Sequence, residues 1–91
     1  MAYSIIVDKD VEKVLKKWKR SNVINFKKVQ ALFIDIMAHP REGIGHPEPL
    51  VGGNDTLYSR RISANDRLVY EIHDEEIYVL IISAEGHYDD K

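Results

Sequence analysis

The sequence contains no cysteine, and none of its apolar runs is long enough to cross a bilayer. A chain without cysteine has no disulfide framework, no thiolate metal site and no cysteine nucleophile, which suits a reducing compartment. The N-terminal apolar run is also too short for a signal peptide and lacks a basic start. We therefore expect a soluble, cytoplasmic protein with no membrane segment. Its 91 residues predict one small domain spanning residues 1–91.

Net charge is also nearly absent, at −2, so overall basicity does not predict nucleic-acid binding. The distribution of charge is more informative. Eight of the thirteen basic residues lie between Lys9 and Lys28, whereas the segment from Glu71 to Lys91 contains seven acids and one base. Such polarity fits either a surface that meets a polyanion or two solvated helix faces with an acidic tail.

The first half of the chain predicts one strand followed by two amphipathic helices. The run "AYSIIV" is rich in β-branched and aromatic residues, as strands are. A helix follows, with Asp8 or Asp10 as its cap, and a second begins after Ser21-Asn22 and stops near His39, before Pro40. Their predicted apolar stripes are Val11, Val14, Leu15 and Trp18 in the first helix, and Phe26, Val29, Phe33, Ile36 and Met37 in the second.

The second half predicts a long loop and then three strands. "PREGIGHPEPLVGGND" is broken by proline and glycine, and loops of this length in compact domains tend to be functional. Strands begin near Leu57 and Arg67, and the continuously apolar "IYVLIIS" suits a central strand covered on both faces. We therefore predict an α+β fold of order β-α-α-β-β-β, with an antiparallel sheet and two helices packed on one face.

Three arginines interrupt the first predicted hairpin, "YSRRISANDRLVYEI". With an odd number of residues in the turn, Arg61 lies opposite Arg67, and a good core face remains on the other side of the sheet. That face consists of Tyr58, Ile62, Leu68, Tyr70 and Ile72. Two like charges in direct opposition need either acids nearby, such as Glu71, or an anionic ligand. Arg60 falls on the core side, where we expect a packed stem at a sheet edge and a head in water.

Three further residues carry acid-base chemistry. Glu48 is held between prolines in "PEP", and His87 and Tyr88 lie close to the C-terminus. Together with the paired arginines they form an acid-base set for phosphoryl chemistry without metal. The other histidines show no metal-ligand spacing, so no zinc site and no cofactor are predicted.

The ordered set "EGIGHPEPL", "YSRRIS", "DRLVYEI" and "GHY" resembles the YoeB/Txe branch of the RelE-type toxins of bacterial toxin-antitoxin systems. The likeness extends from Arg41 to Tyr88, and the predicted element order fits the RelE-like fold. The resemblance implies a ribosome-dependent endoribonuclease that cuts messenger RNA in the ribosomal A site. It also implies a cognate antitoxin of the YefM/Axe kind and, as a second partner, the ribosome with bound messenger RNA; a homodimer stays open as a third.

The resemblance assigns a role to each site residue. Glu48 matches the general base that activates the 2′-hydroxyl, Arg67 the phosphate-stabilising arginine and His87 the general acid. Tyr88 matches the terminal tyrosine that completes the site, and Arg61 the second arginine of the Ser-Arg-Arg-Ile strand. Arg60 and Tyr58 are further candidates for RNA contact, although packing is favoured over base stacking for Tyr58.

The chain departs from the family pattern in three places. Val51 stands where a lysine is common, Glu85-Gly86 where a basic residue and an aromatic are usual, and residues 89–91 extend past the terminal tyrosine. These changes make the predicted site less positive, which should weaken its affinity for RNA. The alternative function is therefore a catalytically weak or inactive binding module of the same fold that engages an antitoxin or the ribosome.

Overall fold

A computed structural model describes residues 2–86, which form two helices and a five-stranded sheet. The elements are β1 Ser4–Val7, α1 Lys9–Ser21, α2 Val23–Ala38, β2 Glu48–Pro49, β3 Leu57–Arg61, β4 Arg67–His73 and β5 Tyr78–Ser83. The strand order is β1-β5-β4-β3-β2, and every neighbouring pair is antiparallel except β1 with β5. The predicted α+β class is confirmed, as is the order of the predicted elements, between which the structure adds the short strand β2. No helix among the described residues is long and apolar enough to cross a membrane.

Side-chain caps define both helix starts. The carboxylate of Asp8 accepts a hydrogen bond from the Asp10 N–H, and the side chain of Asn22 accepts one from the Asn25 N–H. These caps satisfy N–H groups that have no partner within the helix. Helix α2 ends at Ala38 with His39 as its C-cap, because Pro40 disfavours helical backbone in the residue before it.

The core lies between the two helices and one face of the sheet. Its buried helix residues include Val11 and Trp18 of α1 and Val29, Leu32 and Ile36 of α2. The α1 stripe is confirmed, but Met37 was wrongly placed in the core, since it is 37% exposed. Leu32 takes the buried position instead and is 0% exposed.

The hairpin has the odd register. Arg61 is directly opposite Arg67, and Tyr58 is opposite Tyr70. The predicted core face of Tyr58, Ile62, Leu68, Tyr70 and Ile72 is entirely buried. Burial of the apolar set selects this register, because a shift by one residue would turn the whole set toward solvent.

Three features of the sheet differ from expectation. The long loop contributes a short edge strand, β2, and β1 runs parallel to β5 rather than antiparallel. Strand β5 is an interior strand, yet it is fully covered on only one face: Val79 and Ile81 are buried, whereas Tyr78 and Leu80 are half-buried. Apolar character along a strand does not reveal strand direction or how completely the second face is covered.

Candidate active site

The sheet face opposite the helices brings together three of the residues selected from the sequence. Glu48 is directly opposite Ser59 on β3, and Ser59 is opposite Val69 on β4. Residues two apart on a strand share a face, so Arg61 and Arg67 are the next cross-strand pair on the side that carries Glu48. Diagonal neighbours of this kind are separated by about 7–8 Å. Glu48 is therefore the diagonal neighbour of Arg61, and Arg67 lies on the far side of Arg61, one strand further from Glu48.

Neither Arg61 nor Arg67 forms an ion pair with any of residues 2–86. Arg61 is exposed, and Arg67 is half-buried with its Nη1 donating to the Ser59 hydroxyl over 3.3 Å. Glu71, the acid considered as a counter-charge, contacts His73 instead, with 3.1 Å between Oε1 and Nε2. Opposed like charges destabilise a sheet, so this pair is suited to binding an anion.

Backbone contacts hold the loop that carries Glu48 against β3. The Arg61 N–H donates to the carbonyl of Gly45 over 2.7 Å, and the Leu50 N–H donates to the carbonyl of Leu57 over 2.8 Å. Gly45 has φ +80°, and a Cβ there would lie 2.8 Å from a Leu32 methyl carbon. Only glycine fits this conformation and this close approach together. Glu48 itself is exposed, between two prolines.

The last described residue, Gly86, is tied beside Arg67. Its carbonyl accepts from the Arg67 N–H over 3.1 Å, and its N–H donates to Asp66 Oδ1 over 2.8 Å. Asp66 Oδ2 also accepts from Ser63 Oγ and from the buried Asn25 amide, so one carboxylate joins the turn, α2 and Gly86. His87 and Tyr88 lie outside the described residues. Sequence reasoning missed Asp66, whose only signal was its place in the "SAND" turn.

Arg60 has a different environment from the one expected. It is 0% exposed, so the prediction that its head lies in water was wrong. Its guanidinium donates to the Asp35 carboxylate over 2.5 Å, to the Tyr70 hydroxyl over 2.9 Å, and to three loop carbonyls. This guanidinium lowers the pKa of the Asp35 carboxyl below its ordinary value. With no exposed surface, Arg60 has no contact to offer an RNA phosphate in this structure.

Tyr58 packs in the core, as favoured from the sequence, and is only 6% exposed. Its ring stacks on that of Tyr70 with 6.2 Å between centroids, and its hydroxyl donates to Asp55. That hydrogen bond, together with burial, raises the pKa of the Tyr58 hydroxyl. A ring enclosed in this way has no free face on which an RNA base could stack.

A cluster around Arg41 was not predicted from the sequence. Arg41 donates to Asp55 over 3.1 Å and, through both terminal nitrogens, to the Asp74 carboxylate over 3.1 and 2.9 Å. Tyr3 adds a bond to Asp74 over 2.7 Å. The hydrogen bonds from Arg41 and then from Tyr3 lower the pKa of Asp74 to about 2. These partners are far apart in the chain, which is why no local pattern indicated the cluster.

The described residues contain no group of three or more histidine, cysteine, aspartate or glutamate side chains placed to hold a metal ion. His73 stacks on Tyr78 with 4.3 Å between ring centroids. His39 is the C-cap of α2, and His46 is exposed in the loop. The arrangement is therefore a sheet face with two opposed cations, suited to binding an anion, and a carboxylate toward its edge.

Comparison with known proteins shows which family the chain resembles. Residues 8–88 match the family model described as "YoeB-like toxin of bacterial type II toxin-antitoxin system". The chain is 38% identical over 71 residues to Toxin YoeB of Streptomyces coelicolor, covering 78% of this chain and 82% of that protein.

Solved structures of YoeB proteins have the same fold as this chain. A YoeB dimer from Staphylococcus aureus superposes with a TM-score of 0.83 at 29% identity, covering 97% of this chain and 100% of that one. The YoeB-YefM complex from the same organism gives 0.80 at 31% identity, with the same coverage. Toxin RelE of Escherichia coli shares the fold alone, with a TM-score of 0.66 at 24% identity over 94% of this chain and 84% of that chain.

Proposed function

The chain belongs to the YoeB-like toxins of bacterial type II toxin-antitoxin systems, and from this premise we propose that it is a ribosome-dependent endoribonuclease that cleaves messenger RNA in the ribosomal A site. The observation that carries the proposal is the opposition of Arg61 and Arg67 without a carboxylate partner among residues 2–86. Glu48 lies on the same sheet face, opposite Ser59 and therefore diagonal to Arg61. A phosphodiester would supply the missing negative charge, and the carboxylate would supply the base.

The proposed reaction uses the RNA's own 2′-hydroxyl as nucleophile. Glu48 removes its proton as the 2′-oxygen attacks the adjacent phosphorus. Arg61 and Arg67 stabilise the negative charge that accumulates on the phosphorane oxygens, where donors already in place are most effective. The bond from phosphorus to the 5′-oxygen then breaks as a general acid donates a proton to that oxygen, which leaves a 2′,3′-cyclic phosphate and a 5′-hydroxyl. The proposed step needs no metal ion, because side chains of this protein would supply the general base, the general acid and the positive charges.

We assign the general acid to His87 and a completing role to Tyr88, following the family motif. What supports this assignment is the attachment of Gly86 to the backbone of Arg67, because His87 follows Gly86 directly in the chain. Arg60 and Tyr58, both buried, are not assigned RNA contacts.

For partners, we propose a YefM-like antitoxin, as supported by the 31% identical Staphylococcus aureus toxin in its YoeB-YefM complex. We propose further that this antitoxin covers the arginine face, whose opposed cations need negative charge. A homodimer is a second partner, supported by the dimeric toxin from that organism. The third proposed partner is the ribosome with bound messenger RNA. A nuclease that acts on translating ribosomes works in the cytoplasm, which is the location we propose.

One contact bears on the alternative of a non-catalytic binding module. Glu85, the acid just before Gly86, pairs with Lys17 of α1 over 2.7 Å. The negative charge beside the proposed site is therefore partly compensated by α1, which favours the nuclease over the binding module.

The deciding experiment is primer extension on a message translated in a cell-free system. Wild-type protein should produce cuts inside codons with 5′-hydroxyl ends. Glu48→Gln and His87→Ala should show no cuts in the time that wild type needs to finish. Glu75→Gln, in the exposed β4–β5 turn, serves as the matched control and should cut normally. If no protein cuts while all bind ribosomes or an antitoxin, the binding module is the correct function.

A further inference from the structure

The buried head of Arg60 holds the chain segment that leads to Glu48. Its Nη2 donates to the carbonyls of His39 and Glu42 over 2.6 and 2.9 Å, and its Nη1 donates to the carbonyl of Ile44 over 3.1 Å. With the bonds to Asp35 and Tyr70, all five N–H donors of the guanidinium are used. A buried cation is costly unless it is satisfied in this way.

Asp35 and Tyr70 extend the same network. Asp35 Oδ2 accepts from the Ile44 N–H over 3.1 Å as well as from Arg60. The Tyr70 hydroxyl donates to the carbonyl of Pro40 over 2.7 Å while it accepts from Arg60 Nε. The three side chains come from α2, β3 and β4. Between them they bind carbonyls of four residues in the segment 39–44, which has no helix or strand of its own.

Strand β2, which carries Glu48, is held to β3 by few backbone bonds, among them that from the Leu50 N–H to the Leu57 carbonyl. The strand has two residues, and Pro47 and Pro49 have no N–H to donate. Glu48 follows Ile44 by only four positions, so a shift of the anchored segment would be transmitted along a short chain. Gly45 continues the attachment through the Arg61 N–H.

We propose that Arg60, together with Asp35 and Tyr70, is a positioning unit that sets where the Glu48 carboxylate stands relative to Arg61 and Arg67. The inference rests on the proposed nuclease function. It assigns opposite roles to two adjacent arginines: the side chain of Arg61 faces the substrate side of the sheet, and that of Arg60 fixes the loop bearing the base from the core side.

The primary test is Tyr70→Phe, which removes one oxygen and two hydrogen bonds and leaves the ring in place. Single-turnover cleavage on ribosomes programmed with one message should slow by about 10- to 100-fold, the effect of a misplacement near 1 Å, with unchanged half-saturating toxin concentration. Tyr78→Phe is the matched control. Its hydroxyl has no hydrogen bond within residues 2–86 and its ring is half-buried, so cleavage should stay at the wild-type rate.

A second variant distinguishes positioning from general damage. Glu48→Gln should leave a slow residual rate, and Tyr70→Phe combined with Glu48→Gln should cleave within about twofold of Glu48→Gln alone, because residues that act through one group are not additive. An equal loss from Tyr70→Phe in both backgrounds would overturn the inference, as would wild-type cleavage by Tyr70→Phe. If wild type and Glu48→Gln cleave alike, the proposed base fails instead.

Amide hydrogen exchange gives a readout independent of the nuclease. Tyr70→Phe should accelerate exchange at residues 41–46 and leave α1 at the wild-type rate. Unchanged exchange in this segment would overturn the positioning role even if cleavage were lost. Arg60→Lys, which keeps the charge but not the planar fork of donors, should show the same exchange pattern in a folded chain.

Discussion

At the residue scale, neighbouring arginines have entirely different environments. Arg60 is 0% exposed and bonded at every donor, whereas Arg61 is exposed and has no ion pair with a described residue. The alternation of side chains along a strand explains the difference, since one faces the helices and the other faces outward. The chemistry of each arginine follows from the face it occupies.

Arg67→Ala should abolish cleavage, because it removes one of the two cations that we propose stabilise the phosphorane; losses of about 100-fold or more are typical of such donors. Arg67→Lys should retain only part of the activity, since lysine keeps the positive charge but lacks the planar set of guanidinium donors. Single-turnover cleavage and thermal unfolding of both variants provide the measurement. Unchanged turnover in Arg67→Ala would remove Arg67 from the mechanism.

Asp74 should make the stability of the fold depend on pH in the acid range. Its folded-state pKa is about 2, below an unfolded value of about 3.9. The stabilisation is therefore present above about pH 4 and is lost as pH falls toward 2. With a side chain 47% exposed, its size should be at most about 1 kcal/mol.

Urea unfolding of wild type and Asp74→Asn at several pH values measures this contribution. The difference in unfolding free energy should be largest near pH 6 and shrink toward zero near pH 2. A difference that stays constant across this range would show that the Arg41 cluster does not depend on the charge of Asp74.

At the element scale, the loop between α2 and β3 is built by close approach rather than by regular structure. Gly45→Ala should destabilise the fold in two ways, through its positive φ and through contact with Leu32 and the Arg61 carbonyl. Gly52 has φ +83°, and a Cβ added there would meet no atom within 4 Å, so Gly52→Ala isolates the backbone effect.

We expect a loss of about 1–2 kcal/mol for Gly52→Ala, from left-handed backbone alone, and a larger loss for Gly45→Ala. Equilibrium urea denaturation of the two variants measures both. Equal losses would mean that the loop can move away from β3 without penalty, which would also weaken the argument that its position is set by anchoring.

At the scale of the whole molecule, charge is separated between the helices and the rest of the chain. Lys9, Lys13, Lys16 and Arg20 are spaced to form one exposed stripe along α1, and within residues 2–86 none of them has an ion pair. The stripe is about 16 Å long at 1.5 Å per residue. Such a stripe is suited to contact with an RNA backbone beyond the site itself.

Replacing Lys13, Lys16 and Arg20 with glutamine should weaken ribosome binding and reduce its dependence on salt. The slope of the logarithm of the binding constant against the logarithm of salt concentration should become shallower by about 0.7–0.9 for each phosphate that is no longer neutralised. The cleavage rate at saturating toxin should stay near wild type, because the stripe lies outside the site. Binding measured at several salt concentrations provides the test, and an unchanged slope would exclude α1 from the RNA interface.

The sequence by itself determined the helices and favoured the hairpin register in which Arg61 pairs with Arg67, which the structure confirms. These follow from local rules: capping side chains, proline breaks, and an apolar set such as Leu68, Tyr70 and Ile72 that only one register buries. The resemblance in its motifs likewise predicted the family. Such features depend on residues close together in the chain, so they can be recognised from the sequence alone.

Only the tertiary structure decided the parallel β1–β5 pair, the strand at Glu48–Pro49, and the burial of Arg60 with Asp35 and Tyr70. Each depends on groups 10 to 74 residues apart, as the bond from Arg60 to Tyr70 and the pairing of Ser4 with Tyr78 show. A sequence pattern records which side chains are apolar or charged. Whether a charged side chain meets water, a substrate or a loop carbonyl is settled only when distant segments pack together, because that packing determines which partners replace the water lost on burial.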